Sequence, residues 1–286
     1  MLQSVLITGG TGTFGTAMVR YLLSETFVSR ICIFSRGEHA QAAMRLALGD
    51  TDDRVRWFIG DVRDLPRLQR AMIGQDAVIH AAALKRIEVG SYNPDEMVKT
   101  NVLGTMNVLE AAARSGCVER VVYLSSDKAF QPISPYGQTK ALAESLVLQA
   151  NTTWGKNGPV CSVARYGNIW GSQGSVGPLW RLKVAQGVST LPVTDKRCTR
   201  FFMRLAEAVD LVTYLLFKSK GGELAIPEQL PAYQLGDLVE AFGCVANETG
   251  LPAWEKMHES MREGLCSADA RRMTVEELRM AIEELP

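Results

Sequence analysis

Leu6-Ile7-Thr8-Gly9-Gly10-Thr11-Gly12-Thr13-Phe14-Gly15 is the stretch on which the fold of this chain turns. Ser4-Val5-Leu6-Ile7 reads as a strand, and glycines three apart, Gly9, Gly12 and Gly15, follow at the mouth of a helix expected over 13–24. Residues this small let backbone N–H groups and the helix N-terminus approach a pyrophosphate. Such spacing also arises by composition; its position directly after the first strand gives it meaning. The competing reading is a turn that only packs strand against helix.

Working outward, the second strand, over 30–34, ends in Phe34-Ser35-Arg36-Gly37. Folds selecting NAD usually place an acidic residue there for the ribose 2′-OH. A hydroxyl and a guanidinium suit a 2′-phosphate instead, so the expected cofactor is NADP, with a plain surface charge as the alternative for Arg36. Gly60-Asp61-Val62-Arg63-Asp64 closes the third strand, over 55–59, and places Asp61 to touch the adenine or to cap the helix that follows, roles that do not exclude each other.

Further strands are expected over 77–80, 121–125 and 160–165, with helices over 38–48, 64–72, 94–115 and 136–150. This repeated βαβ order predicts an α/β fold, a Rossmann-type doubly wound parallel sheet. The expected units are an NADP-binding domain over 1–165 and a smaller substrate-binding lobe over 166–286, partly interleaved with the sheet. Gly167, Gly171, Gly174 and Gly177 punctuate the start of that lobe, over the strand ends where ligands of open sheets bind.

With 31 basic and 31 acidic residues, no overall field draws the chain to nucleic acid or an anionic membrane. No apolar run reaches the roughly 20 residues of a membrane span, and the first residues enter a strand directly, so a cytoplasmic protein is expected. Six cysteines, Cys32, Cys117, Cys161, Cys198, Cys244 and Cys266, lack metal-ligand spacing; they read as small buried hydrophobes, and no metal is expected.

Tyr136 and Lys140, in Ser134-Pro135-Tyr136-Gly137-Gln138-Thr139-Lys140, share one helix face. An ammonium beside a phenol favours phenolate, and such a tyrosine can take a proton from a sugar hydroxyl. The pair follows the hydroxyl-rich end of the fifth strand, Leu124-Ser125-Ser126-Asp127-Lys128-Ala129. The glycine turn, Ser126, Tyr136 and Lys140 in this order resemble the short-chain dehydrogenase/reductase superfamily, in its extended form. Asn101 matches that superfamily's helix asparagine, and His80-Ala81-Ala82-Ala83 its cofactor-lining segment.

A narrower resemblance is carried by Phe34-Ser35-Arg36, Gly60-Asp61-Val62-Arg63-Asp64, His80 to Lys85, Thr100-Asn101-Val102-Leu103-Gly104, Ser126-Asp127-Lys128-Ala129, Ala164-Arg165-Tyr166-Gly167-Asn168, Gly174-Ser175-Val176 and Thr199-Arg200-Phe201. Over roughly residues 3 to 260 these are similar to the UDP-N-acetylglucosamine 4,6-dehydratases that invert C5, and imply a lyase that regenerates its NADP each cycle. Such a dehydration needs oxidation at C4, a base for the C5 proton and an acid for the C6 hydroxyl. The resemblance implies Tyr136, Lys140 and Ser126 for the first, Lys128 as the C5 base and Asp127 as the C6 acid. A base lysine needs desolvation or positive neighbours to lose its proton, and Lys85 and Arg86 are candidates for that charge.

The implied cofactor contacts are Gly9, Thr11, Gly12, Thr13, Phe14, Gly15, Ser35, Arg36, Asp61, Val62, Ala81, Ala82, Ala83, Lys85, Asn101, Tyr136 and Lys140. For the nucleotide sugar, most simply UDP-N-acetylglucosamine, they are Lys85, Asn168, Ser175, Val176, Arg181, Thr199, Arg200 and Glu255. The chain departs from its relatives at Leu251-Pro252-Ala253-Trp254-Glu255-Lys256-Met257-His258-Glu259. An Arg-Pro-Gly-Glu-Lys-like segment that reaches the diphosphate in those relatives here lacks its arginine, which falls on Pro252, and its glycine, which falls on Trp254. Either Lys256, Arg262 or Arg200 replaces the cation, or the sugar is differently activated; Trp254 either packs or stacks on a uracil.

By resemblance, a homo-oligomer, dimer or hexamer, is expected, and a role in surface-glycan or modified-sugar biosynthesis. The rival readings are an NADP-dependent nucleotide-sugar epimerase or reductase, which has no use for Asp127-Lys128 as an acid/base pair, and a non-catalytic dinucleotide-sensing regulator.

Overall fold

The computed structural model describes residues 2–49 and 52–285; Met1 and Pro286, at the outer ends of the two expected units, lie outside it. Six strands arrive in βαβ order: β1 Ser4–Thr8, β2 Arg30–Ser35, β3 Val55–Ile59, β4 Ala77–His80, β5 Arg120–Leu124 and β6 Val160–Ala164. Their helices are α1 Thr13–Glu25, α2 Glu38–Ala47, α3 Leu65–Met72, α4 Ile87–Tyr92, α5 Pro94–Met97, α6 Gly104–Ser115 and α7 Pro135–Thr153. The chain then runs through β7 Asn168–Ile169, α8 Val176–Ala185, β8 Thr190–Val193, β9 Thr199–Met203, α9 Leu205–Lys218, β10 Leu224–Ala225, β11 Ala232–Gln234, α10 Leu235–Ala241, β12 Val245–Glu248, β13 Ser260–Arg262, β14 Leu265–Cys266 and α11 Val275–Glu283.

The main sheet has the order β10-β6-β5-β4-β1-β2-β3, with every neighbouring pair parallel. Order reverses between β1 and β4, the crevice where doubly wound sheets hold ligands. Period-2 alternation splits the strand side chains between two cores. Val5, Ile7, Ile31, Ile33 and Ile79 pack with Met18, Val19 and Leu22 of α1 and Val212, Leu215 and Leu216 of α9. Leu6, Cys32, Phe34 and Val78 pack on the other face with Leu68, Val108, Leu109, Ala143 and Val147. Strands buried on both faces read as unbroken apolar runs, which is why they were visible in the sequence.

The single helix expected over 94–115 is instead α5, a π-helical turn at Val98–Leu103, and α6. The wide turn carries Asn101, whose amide clasps the backbone of Leu84: Oδ1 accepts from the Leu84 N–H at 2.8 Å and Nδ2 donates to its carbonyl at 3.0 Å. After β6 the chain builds a lobe on a core of its own, including Trp180, Leu191, Phe202, Tyr233, Leu238 and Leu278. It also returns α9 and β10 to the main sheet, so residues 166–286 are not a separate body. Arg165 forms a buried ion pair with Glu144 of α7 and donates to the Met261 carbonyl of β13 at 2.6 Å, tying sheet, helix and lobe together.

No helix among the described residues is long and apolar enough to cross a membrane. All six cysteines are free; Cys32, Cys161 and Cys198 are buried as expected, while Cys117, Cys244 and Cys266 are half-buried. Burial pushes the Cys32 and Cys161 thiols up to about 12.

Candidate active site

One cleft of about 830 Å³ is lined by the carboxyl ends of the strands and by the lobe. At one end lies the glycine turn. Gly9 has φ +67°, and a Cβ there would sit 2.8 Å from the Ala82 nitrogen; a Cβ on Gly15 would sit 2.5 Å from the Gly10 carbonyl oxygen. Gly12 caps α1 with no side-chain hydrogen bond, so no side chain occupies the first N–H groups of that helix. Gly9, Thr11, Gly12, Thr13, Phe14 and Gly15 all line the cleft, and Thr13 Oγ1 accepts from the Gln173 N–H of the lobe at 3.0 Å.

Ser35, Arg36, Asp61, Val62, Ala81, Ala82, Ala83 and Lys85 continue the wall. Gln41 donates to the Ser35 hydroxyl at 3.0 Å, which fixes it at the end of β2. Arg36 is exposed and makes no hydrogen bond or ion pair among the described residues. Asp61 is gripped by Arg63, at 3.0 Å from Nε and 2.8 Å from Nη2; burial opposes its charge, but Arg63, with Arg36 assisting, holds the carboxyl below the usual range. The helix cap is Asp64, which accepts from the Arg67 N–H, so Asp61 is not the cap considered above. Asn101 does not line the cleft; besides Leu84 it donates to Thr139 Oγ1 at 3.1 Å, locking α7 to the exit of β4. The cavity and its glycine cradle fit an extended dinucleotide diphosphate. His80 is wholly buried between Thr8, 2.7 Å away, and Thr105, at 3.0 Å; burial and the Lys140 charge bring its pKa down to about 3, so it is a neutral strut.

The reacting end is built by a 3₁₀ turn, Asp127–Ala129, and the first turns of α7. Ser134 caps α7 by accepting from the Gly137 N–H at 3.1 Å, and Gly137 is obligatory because a Cβ would lie 2.3 Å from the Lys128 carbonyl oxygen. Tyr136 and Lys140 both line the cleft. Burial pushes the Tyr136 phenol above its usual value, against the opposing pull of Lys128 and the Ser126 hydrogen bond. Lys128 opposes that rise, and Lys140 stands one turn further along α7 on the same cleft wall. Lys140 donates to the Leu124 carbonyl and lies 4.2 Å from the centre of the Tyr123 ring; burial, opposed by Glu144, brings it down to about 7.

Lys128 Nζ lies 3.1 Å from Asp127 Oδ1, 3.1 Å from Asn168 Oδ1 and 3.6 Å from Glu259 Oε1. Burial works against the ammonium, but the Asp127 and Glu259 carboxylates outweigh it and hold Lys128 above the usual lysine range. Arg200 pulls the other way. Lys85 and Arg86 do not supply that charge: burial lowers Lys85 itself, and Arg86 pairs with Glu88 at 2.7 Å. Asp127 is fully buried and forms none of the cleft wall; its Oδ1 accepts from Ser126 at 2.9 Å, and its Oδ2 has no partner.

In the lobe, Asn168, Ser175, Val176, Arg200 and Glu255 line the cleft. Two expected contacts do not. Arg181 is exposed and donates to the Leu285 carbonyl, because α8 turns that face toward the C-terminal helix. Thr199 is buried in a network with His258 Nδ1 at 2.8 Å and Ser267 Oγ at 2.7 Å, where it supports the segment before β13. Of the three cations that could replace the missing arginine, Lys256 donates to the Phe130 carbonyl at 2.7 Å and Arg262 is exposed away from the cleft. Only Arg200 faces it, paired with Glu255. Trp254 also lines the cleft. Glu259, Trp170, Gln173 and Tyr233 were missed as site residues; Glu259 closes the surviving Glu-Lys-x-His-Glu portion, while nothing local marked Tyr233. No metal-binding cluster occurs among the described residues.

The family of polysaccharide biosynthesis proteins matches residues 5–282. An inverting UDP-N-acetylglucosamine 4,6-dehydratase from Campylobacter jejuni is 40% identical over 276 residues, 96% of this chain and 80% of the relative. A UDP-glucose 4-epimerase from Rickettsia akari is 40% identical over 242 residues, 84% of this chain and 70% of the relative. Among solved structures, Pen from Bacillus thuringiensis superposes with a TM-score of 0.94 at 32% identity, covering 100% of this chain and 99% of that one. The dTDP-glucose 4,6-dehydratase DesIV from Streptomyces venezuelae, solved with NAD and TYD bound, superposes at 0.84 and 22% identity over 98% and 96%, a likeness of fold. Its glycine turn, its Ser126-Tyr136-Lys140 site and a family match over nearly its whole length together establish that the chain belongs to the polysaccharide biosynthesis proteins of the extended short-chain dehydrogenase/reductase type.

Proposed function

We propose that this enzyme is an NADP-dependent 4,6-dehydratase that acts on UDP-N-acetylglucosamine, inverts C5 and releases a 4-keto-6-deoxy sugar for surface-glycan or modified-sugar synthesis. The observation that carries it is Lys128 directly after Asp127, with its ammonium on the cleft wall beside Tyr136 and Asn168. Arg36, unpaired at the end of β2 beside the clamped Asp61, supports the choice of a 2′-phosphate over a free hydroxyl.

A dinucleotide held along Gly9–Gly15, Ser35 and Arg36 would supply a hydride acceptor for C4 and a hydride donor for C6. Tyr136, which shares the cleft wall with Ser126, takes the proton of the C4 hydroxyl. Oxidation acidifies C5, and Lys128 is the base assigned to that proton, a role for which it must first lose the proton that Asp127 and Glu259 hold on it. Asp127, next to Lys128, is assigned the acid for the C6 hydroxyl; because it is fully buried and forms none of the cleft wall, that role requires the Asp127–Ala129 turn to open when the sugar binds. Arg200 faces the diphosphate once its hold on Glu255 is exchanged for phosphate oxygens. Exposed Val98, Leu103, Met106 and Leu142, about the π turn, α6 and α7, support assembly into a dimer or hexamer.

The test incubates purified enzyme with UDP-N-acetylglucosamine in deuterium oxide, followed by NMR. A 4-keto-6-deoxy product labelled at C5 with inverted configuration is expected; unchanged substrate overturns the reading. A second reading, C4 epimerisation, is favoured by the Rickettsia relative, and an unlabelled C4 epimer in the same spectrum selects it.

A further inference from the structure

Resting on the dehydratase reading above, the hexose lies with C5 at Lys128 and the uracil a diphosphate and a ribose further along the cleft. A pyranose ring is polar at its rim, where the hydroxyls stand, and apolar on its two C–H faces. A site for it therefore needs hydrogen-bonding groups around an edge and a flat apolar surface against a face. Lys128, Asn168, Arg200 and Glu255 supply the first.

Trp254 has the features of the second. Of the five tryptophans, Trp57 and Trp154 pack against the two sheet cores, and Trp170 and Trp180 in the lobe core. Trp254 joins none of the three, pairs with no other aromatic ring and has no acceptor for its indole N–H among the described residues. The Trp170 N–H, by contrast, donates to the Ala281 carbonyl at 2.8 Å. Trp254 is nevertheless half-buried and fixed in place. The Glu255 N–H donates to the Pro252 carbonyl at 3.0 Å and closes a turn about it; Glu255 pairs with Arg200, and Lys256 Nζ donates to the Phe130 carbonyl at 2.7 Å. An indole held ready without a protein partner is a surface for a ligand.

The position of Trp254 distinguishes hexose from uracil. Trp254 lines the main cleft and also a second cavity of about 190 Å³, which Lys128, Asn168, Arg200 and Glu255 share. Ile87, Ile133 and Trp254 form the apolar side of that cavity and the charged groups its polar side, the same division as in a pyranose. With the hexose at Lys128, a space that small holds the ring and not the distant base. Pro192, Val193 and Leu235 line the main cleft only, and offer the base an apolar wall of its own.

We propose that Trp254 is the platform on which the hexose ring lies, a specificity-determining residue for the sugar and not for the base. A C–H face of the ring covers the indole while the rim meets Lys128 and Asn168. UDP alone leaves Trp254 bare.

Holoenzyme, Trp254→Ala and Trp254→Phe are titrated calorimetrically with UDP-N-acetylglucosamine and with UDP. Trp254→Ala is expected to lower affinity for the sugar nucleotide about tenfold and for UDP less than about twofold, and Trp254→Phe, which keeps a flat ring, to recover most of the loss. The change in tryptophan emission that UDP-N-acetylglucosamine causes beyond that of UDP should disappear in Trp254→Phe, a readout that stands if the alanine variant fails to fold. Equal weakening of both ligands makes Trp254 a reader of the base or the diphosphate and overturns the platform. Wild-type affinity for both, with or without a lower melting temperature, overturns it as well. A wild type that releases only a C4 epimer, with the same selective loss in Trp254→Ala, overturns the dehydratase reading and sustains the platform; a wild type that does not bind UDP-N-acetylglucosamine overturns both.

Discussion

The two ends of the cleft are built from different materials. The dinucleotide end is backbone: a glycine turn, the first N–H groups of α1 and the strand ends of β1, β2 and β4, set by an apolar core on each sheet face. The sugar end is side-chain charge held in pairs: Lys128 with Asp127 and Glu259, and Arg200 with Glu255. Backbone sites are shaped before a ligand arrives, whereas paired charges must be exchanged for those of the ligand. A change of one carbon atom should therefore damage the first end most, and loss of a whole charge should matter at the second only where that charge faces the cleft.

The largest effect is expected from Gly15→Ala. Its Cβ would meet the Gly10 carbonyl oxygen at 2.5 Å, backbone against backbone, so the turn must open. Dinucleotide affinity should fall on the order of 10²-fold by calorimetric titration; unaltered binding would show that the turn is not pre-set.

Next comes Arg36→Ala, which removes an exposed cation without disturbing packing. NADP affinity should drop about tenfold or more, with NAD affinity changed less than about twofold, as for one charge-assisted contact to a phosphate. Equal loss for both dinucleotides would remove the argument for a 2′-phosphate.

Arg181→Ala should do least. Because the side chain reaches the Leu285 carbonyl outside the cleft, KM for the nucleotide sugar should stay within about twofold. A larger rise would place Arg181 back at the substrate.

The strands and the glycine turn were legible because burial on both faces and local spacing leave a mark within ten residues of sequence. Helix 94–115 was misread as continuous because nothing local says that Asn101 must turn inward to clasp Leu84, 17 residues earlier in the chain. Ser126, Tyr136 and Lys140 were found through their order, but the sign of their electrostatics was not. Glu259, which joins the site from more than a hundred residues away, adds to the hold on Lys128 and to the rise of the Tyr136 phenol. Thr199 and Arg181 fall outside the cleft wall for a related reason: a motif identifies a residue's neighbourhood, and only packing decides which way its side chain faces.

The Glu144–Arg165–Met261 tie bears on how this architecture can be recombined. Arg165 directly follows β6, Glu144 belongs to the helix carrying Tyr136 and Lys140, and Met261 to the lobe, two residues from Glu259. A chimera joined after residue 165 inherits a guanidinium buried for two partners, one of them contributed by the foreign half. Unless the incoming segment offers a carbonyl at the place of Met261, one arm of that cation loses its acceptor in a dry interior, a loss of about 1–3 kcal/mol. Substrate ranges in such enzymes are therefore more readily exchanged by grafting loops onto an intact chain than by trading lobes at residue 165.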